Sequence, residues 1–221
     1  MKNSSTEENY LKVIFHLSND EEPVATNAIA SSLQTTAASV TDMIKRLADK
    51  KLVEYQPYKG VKMTSEGKKI ALLVVRKHRL WEVFLVNKLN IPWDRIHETA
   101  EQLEHVDSAE LIDRLDEYLG FPRFDPHGDP IPGKDGSFEE RKTYRLDEIP
   151  DTEPAKIAGV LSDRPEFLRY LDKLGMNIGV TLRIKDRIPF EQSLTIAIGG
   201  REVIVSGDTA RKVLVTLNPG T

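Results

Sequence analysis

The 221-residue sequence contains no cysteine, which excludes disulfides, thiolate metal sites and cysteine nucleophiles. Long apolar runs are missing too. The longest, Ile70 to Val75, has six residues closely flanked by Lys69 and Arg76, whereas a membrane-spanning helix needs roughly 18 to 20. The chain is therefore expected not to cross a membrane. Its start, MKNSSTEENY, lacks the apolar core of a secretory signal, so a cytoplasmic location is expected. Catalytic signatures are also absent. His97-Glu98 is followed by Thr, Ala and Glu, which breaks the zinc-protease spacing HExxH, and there is no nucleophile elbow, phosphate-cradling glycine loop or dinucleotide fingerprint. An enzyme is disfavoured on these grounds.

What is present is the composition of an ordinary globular protein, 39% apolar and 30% charged, with a net charge of −4. That total hides an asymmetry. Met43 to Arg79 holds eleven Lys or Arg against three acids, and Asn90 to Leu119 holds nine acids against two arginines. The first segment suits phosphates and the second suits cations. Gly120 to Gly136, GFPRFDPHGDPIPGKDG, carries four prolines and four glycines and reads as a linker or long ordered loop. Before it, apolar residues recur at helical spacing, as in Tyr10, Val13, Ile14 and Leu17. After it the period shortens: Val180, Leu182 and Ile184 alternate with Thr181, Arg183 and Lys185, and Gly199-Gly200 reads as a hairpin turn.

In the first 65 residues Thr26 offers an N-cap oxygen to a short helix, and a turn through Gln34 to Thr36 leads into a second helix with its apolar stripe at Val40, Met43, Ile44 and Leu47. This is the helix-turn-helix arrangement. The stripe leaves Ala38, Ser39, Thr41, Asp42 and Lys45 outward, and with Thr36 these are the expected DNA-facing residues. Thr41 is suited to a thymine methyl or a base acceptor. The segment EYQPYKGVKMT reads as a β-hairpin wing, with Lys59 and Lys62 placed for phosphates.

Thr64 is expected to cap a long helix that ends before Pro92 and carries His78 and Glu82 at i and i+4, on one face. A further helix, expected to start near Trp93, would bring His97, Glu101, Glu104 and His105 into a single arc. Imidazole and carboxylate without thiolate form a relatively hard ligand set, compatible with Mn²⁺ or Fe²⁺ and able to hold Zn²⁺, Co²⁺ or Ni²⁺. His16 and His127 are read as ordinary side chains with no ligand role.

These residues resemble a known family, the diphtheria-toxin-repressor and manganese-transport-regulator family of metal-activated bacterial repressors. The carriers are TEENYLKVIFHL, SVTDMIKRLADKKLV, VKMTSEGKKIA, RKHRLWEVFL, HETAEQLEHV and DPIPG, in that order over nearly the whole chain. The resemblance implies a mainly α N-terminal part, with a winged helix-turn-helix domain at 1–64 and a helical metal-binding and dimerisation domain at 65–120. A Pro/Gly-rich linker at 121–150 and an all-β SH3-like (FeoA-like) barrel at 151–221 would follow. It also implies two metal sites. One would use His78, Glu82 and His97, completed by Asp163 and Glu166. The other would use Glu101, Glu104 and His105 with Asn9. Glu101 stands where the iron-responsive branch has cysteine, as in the manganese branch. Asn9 stands where the manganese branch has aspartate and the iron branch methionine, and Lys12 where the manganese branch has a second carboxylate.

The implied function is that of a homodimeric repressor, activated by Mn²⁺ or Fe²⁺, which controls metal-homeostasis genes through a palindromic operator in double-stranded DNA. Leu103, Val106, Leu111, Ile112, Leu115 and Leu119 form the expected dimer seam. The alternative is a winged-helix repressor of drug-responsive type, with a small organic effector and a merely solvated acidic face.

Overall fold

The computed structural model describes residues 3–19, 22–151 and 153–217. In chain order the elements are α1 (Ser5–Leu17), α2 (Thr26–Ser32), α3 (Ala37–Asp49), β1 (Val53–Gln56), β2 (Gly60–Met63), α4 (Ser65–Asn87), α5 (His97–Leu103) and α6 (Ala109–Tyr118), then β3 (Tyr144–Arg145), β4 (Ala155–Val160), α7 (Pro165–Leu174), β5 (Thr181–Ile188), β6 (Ser193–Ile198), β7 (Arg201–Val205), α8 (Gly207–Lys212) and β8 (Val213–Leu217). No helix among the described residues is long and apolar enough to cross a membrane. The chain forms two compact units. One comprises Met1–Arg79, Glu101–Asp113 and Pro132–Phe138, the other Leu80–Ala100, Arg114–Ile131 and Glu139–Thr221. The helical stretch expected as one domain at 65–120 is thus shared between them.

In the first unit the helical periodicity of α1 and α3 is turned into a core of Leu11, Ile14, Ile29, Val40, Ile44 and Leu47, closed by Val53 and Val61 of the wing. A capping box starts α1, with Ser4 accepting from the Glu7 amide and the Glu7 side chain accepting from the Ser4 amide. Thr36 caps α3. The N-cap of α2 is Ala25, with no side-chain hydrogen bond, so Thr26 is the first helical residue and not the cap expected from the sequence. In the wing, β1 pairs antiparallel with β2, and Val24 bridges to Val61. Gly60 is required there: its φ is +119°, and a Cβ would come within 2.6 Å of the Val24 carbonyl oxygen.

The second unit is built on a six-stranded antiparallel sheet of order β3-β8-β4-β5-β6-β7. Leu182 and Ile184 of β5 point into a core with Ile157, Ile196, Val213 and Val215, while Thr181, Arg183 and Lys185 face out. Gly199 and Gly200 both have positive φ, +56° and +78°, and join β6 to β7 as a two-residue hairpin. The domain is not all β. Helix α7 begins with Pro165 in its first turn, ends at left-handed Gly175 and buries Leu168 and Leu171, and α8 follows β7. The sheet also starts earlier than residue 151, because β3 pairs with β8 inside the stretch expected as linker.

The loop at 124–131 is ordered by its own backbone. Phe124 and Pro130 form an isolated bridge, and the Asp125 carboxylate accepts from the amides of His127 and Asp129 at 2.8 and 3.0 Å. Gly128 has φ +92° and lies so close to β4 that a Cβ would meet the Ala158 carbonyl oxygen at 2.2 Å. Gly128→Ala is therefore expected to destabilise this unit by at least about 1–3 kcal/mol from backbone strain alone. Urea denaturation followed by tryptophan fluorescence, which reports Trp81 and Trp93, will show the lowered midpoint.

Candidate metal centre and DNA-binding surface

Within the second unit, Glu82 of α4 is 2% exposed, and Asp125 and His127 of the ordered loop are each 6% exposed. Their ligand-type atoms all lie within 4.8 Å of one another. His127 Nδ1 stands 3.8 Å from Glu82, and its Nε2 donates to the Trp93 carbonyl at 3.1 Å while the two rings stack. Burial opposes charging this imidazole. The Glu82 and Asp125 carboxylates and the Trp93 carbonyl outweigh it and carry the pKa up to about 9. His97, half-exposed at the start of α5, brings Nδ1 to 3.7 Å from Glu82. Two buried carboxylates and an imidazole, converging without a thiolate, are a donor set that a divalent transition metal fits.

His78 lies one turn before Glu82 on α4, and its Nδ1 is 2.5 Å from Glu104. Glu104 belongs to a second group, within the first unit. Fully buried, it accepts both hydrogen bonds of the Lys12 ammonium at 2.6 and 2.8 Å. Burial alone would raise its pKa, but His78 and Lys12 hold it below the usual carboxylate range. Glu101 stands 3.6 Å from Lys12, and His105 meets Glu8 at 2.7 Å. Asn9 contributes a buried side-chain oxygen with no hydrogen-bond partner, an orphaned acceptor suited to a cation.

The single arc expected for His97, Glu101, Glu104 and His105 is not what forms. Helix α5 starts at His97, four residues later than expected, and ends at Leu103. Glu104 and His105 lie in the turn that follows, where the Val106 amide bonds back to Leu103. Asp163 and Glu166 are exposed around the start of α7, and neither belongs to a group of three ligand-type side chains among the described residues. The sequence did not single out Asp125 and His127, because they sit in a Pro/Gly-rich loop with no helical spacing to align them. The signal available was the Asx turn latent in DPHGD.

On α3, Ala38, Ser39, Asp42 and Lys45 are exposed and Thr41 is half-buried. The Thr41 hydroxyl donates to the Ala37 carbonyl at 2.8 Å, and the Thr36 and Ser39 hydroxyls pair at 2.9 Å. Lys59 and Lys62 are exposed on the wing, and Tyr58 at its tip is fully exposed with φ +65°. Of the expected dimer seam, Ile112 and Leu115 are buried within their own chain. Leu111 remains exposed, and Leu73 of α4, in the same unit, is exposed as well.

A winged helix-turn-helix and buried oxygen-nitrogen clusters together define a metal-dependent DNA-binding regulator. The chain belongs to the diphtheria-toxin-repressor family of metal-dependent transcriptional repressors, which are not enzymes. Family models match throughout: the iron dependent repressor N-terminal DNA binding domain at residues 2–61, the iron dependent repressor metal binding and dimerisation domain at 64–133, and the FeoA domain at 144–217. The chain is 31% identical over 159 residues to the iron-dependent repressor IdeR of Mycobacterium leprae, covering 69% of each. It is 30% identical over 220 residues to the diphtheria toxin repressor of Corynebacterium glutamicum, covering 95% of each. A manganese-dependent transcriptional repressor solved in complex with manganese shares its fold with a TM-score of 0.82 at 35% identity, over 96% of this chain and 99% of that one.

The raised pKa of His127 has a measurable consequence in metal-free protein. Its folded value, about 9, exceeds the ordinary 6.5, so the protonated form favours folding. That stabilisation is complete below about pH 6.5 and is lost as the pH rises through about 9. Chelator-treated protein is expected to melt at progressively lower temperature across this window, and His127→Gln to flatten the decline. A wild-type Tm that stays constant there contradicts the pairing.

Proposed function

We propose that this protein is a cytoplasmic homodimeric repressor that binds a palindromic operator when Mn²⁺ or Fe²⁺ fills a site made by Glu82, Asp125 and His127, with His97 beside it. The observation that carries this reading is the buried Glu82, Asp125 and His127 group. Two carboxylates held out of water around one imidazole are costly without a cation, and a metal ion there replaces the proton on His127. When bound, the metal supplies a fixed double positive charge. Glu101, Glu104, His105 and Asn9 make up a second donor group, in which Glu104 is already engaged by the Lys12 ammonium. There the Glu104 carboxylate ties α1 of the DNA-binding domain to the turn between α5 and α6. Asp163 and Glu166 stand at the start of α7, available as outer ligands.

On the DNA side, Lys59 and Lys62 engage phosphates, while Thr36, Ala38, Ser39, Thr41, Asp42 and Lys45 face the major groove. Leu73 and Leu111 supply exposed apolar surface for the second protomer. The repressed genes belong to metal homeostasis, where occupancy of the metal site is itself the signal. The names of the relatives support both metals: one is called iron-dependent and another manganese-dependent.

Operator binding in a gel shift is expected to vanish with a chelator and return with Mn²⁺ or Fe²⁺ but not with Mg²⁺. Asp125→Asn and His127→Gln are expected to raise the Mn²⁺ midpoint by more than about tenfold. Normal repression by both variants would place the activating site elsewhere. Lys59→Ala and Lys62→Ala are expected to weaken binding to specific and random DNA alike, each lowering the salt slope by about 0.9. Thr41→Ala is expected to relax base preference with little change on random DNA, which competition titrations will separate.

A further inference from the structure

Lys12 is 8% exposed, on a helix face where its neighbours Leu11 and Ile14 enter the core. A lysine turned inward in this way needs a strong partner. Its ammonium closes on both oxygens of Glu104, at 2.6 and 2.8 Å, and lies 3.6 Å from Glu101. This is the place a metal ion would occupy. A divalent ion bound by the same two oxygens would sit about 2.0–2.6 Å from them, leaving no room for the ammonium beside it. We propose that the Lys12 ammonium is the resident cation of this cluster. It takes the position between Glu101 and Glu104 that one divalent ion needs, so the cluster takes up one ion fewer than it would without the lysine. The turn after α5 is thereby held to α1 with or without metal.

Two further observations support this. The carboxylates of Glu8, Glu101 and Glu104 face two ammoniums, because Lys77 stands 3.9 Å from Glu8. One net negative charge remains among these groups, a weak attraction for a hard dication. Asn9, three residues before Lys12 on the same face of α1, holds an unpartnered buried oxygen. With the ammonium gone, that oxygen joins Glu101, Glu104 and His105 as a donor set for a metal. The proposal rests on the reading that this chain takes up Mn²⁺, and its test separates the two.

Wild type, Lys12→Gln and Lys12→Arg are dialysed against the same free Mn²⁺ concentration, and metal per protomer is measured by mass spectrometry. Lys12→Gln is expected to hold one Mn²⁺ more than wild type, and Lys12→Arg to match wild type. Equal occupancy in wild type and Lys12→Gln overturns the proposal. The absolute wild-type number reads the Glu82 site: none in wild type and one in Lys12→Gln would sustain this proposal and remove the earlier reading. A second measurement needs no variant. Acetylation of Lys12 by acetic anhydride, followed by peptide mass spectrometry, is expected to be equally slow in chelator and in saturating Mn²⁺. Rapid labelling on adding Mn²⁺ would mean that the metal displaces the lysine, and the proposal would fail.

Discussion

A carboxylate removed from water has to be answered by positive charge, and two of the buried carboxylates, Glu104 and Glu82, organise what surrounds them. Glu104, fully buried, is answered by Lys12 and His78, and Glu82 by an imidazole that keeps its proton to about pH 9. Removing one partner of such a buried pair costs on the order of 3–5 kcal/mol, because the other is left uncompensated. The clusters are therefore structural before they are regulatory. One holds a covalent cation, and the other holds an exchangeable proton in a space suited to a metal.

The rest of the second unit makes the Glu82 group rigid. Trp93 stacks on His127 and accepts from it through its carbonyl, while its indole donates to Asp172 of α7. Arg169 of α7 reaches Asp94 at 3.0 Å. On the other side the His127 carbonyl accepts from the Val160 amide at the end of β4. The 124–131 loop is thus tied to the edge of the SH3-like domain. Locked side chains of this kind keep a metal site's geometry from depending on chance.

Much of this was legible in the sequence. The helical spacing of Val40, Ile44 and Leu47 foretold the buried stripe of α3, the alternation around Leu182 foretold β5, and Gly199-Gly200 foretold the hairpin. His78 and Glu82 fall at i and i+4 on α4 as the helical spacing predicted, whereas Glu104 and His105 had been grouped on a helical arc that does not form. What escaped was non-local. Asp125 and His127 reach Glu82 only because Gly128 docks on β4, a contact that no periodicity encodes. The arc on α5 failed because a helix of only seven residues ends before Glu104, and propensity places such boundaries poorly. Lys12 was visible only as a departure from its relatives' pattern, whereas its bond to Glu104 spans 92 positions of sequence.

The hydroxyls of the recognition helix are largely spent on the helix itself. Thr41 donates to Ala37, Thr36 caps the Ser39 amide, and one proton of the Thr36 and Ser39 pair is used between them. What α3 offers outward is therefore mainly methyl groups and oxygen acceptors, with the remaining hydroxyl proton of the Thr36 and Ser39 pair, Lys45 and Arg46 as its donors. Ala38, exposed and without any polar group, takes no part in this internal bonding. A change there alters the surface offered to a base pair without disturbing the cap or the carboxylate clusters. In the proposed complex with DNA, operator preference can therefore change at Ala38 while the carboxylate clusters stay the same.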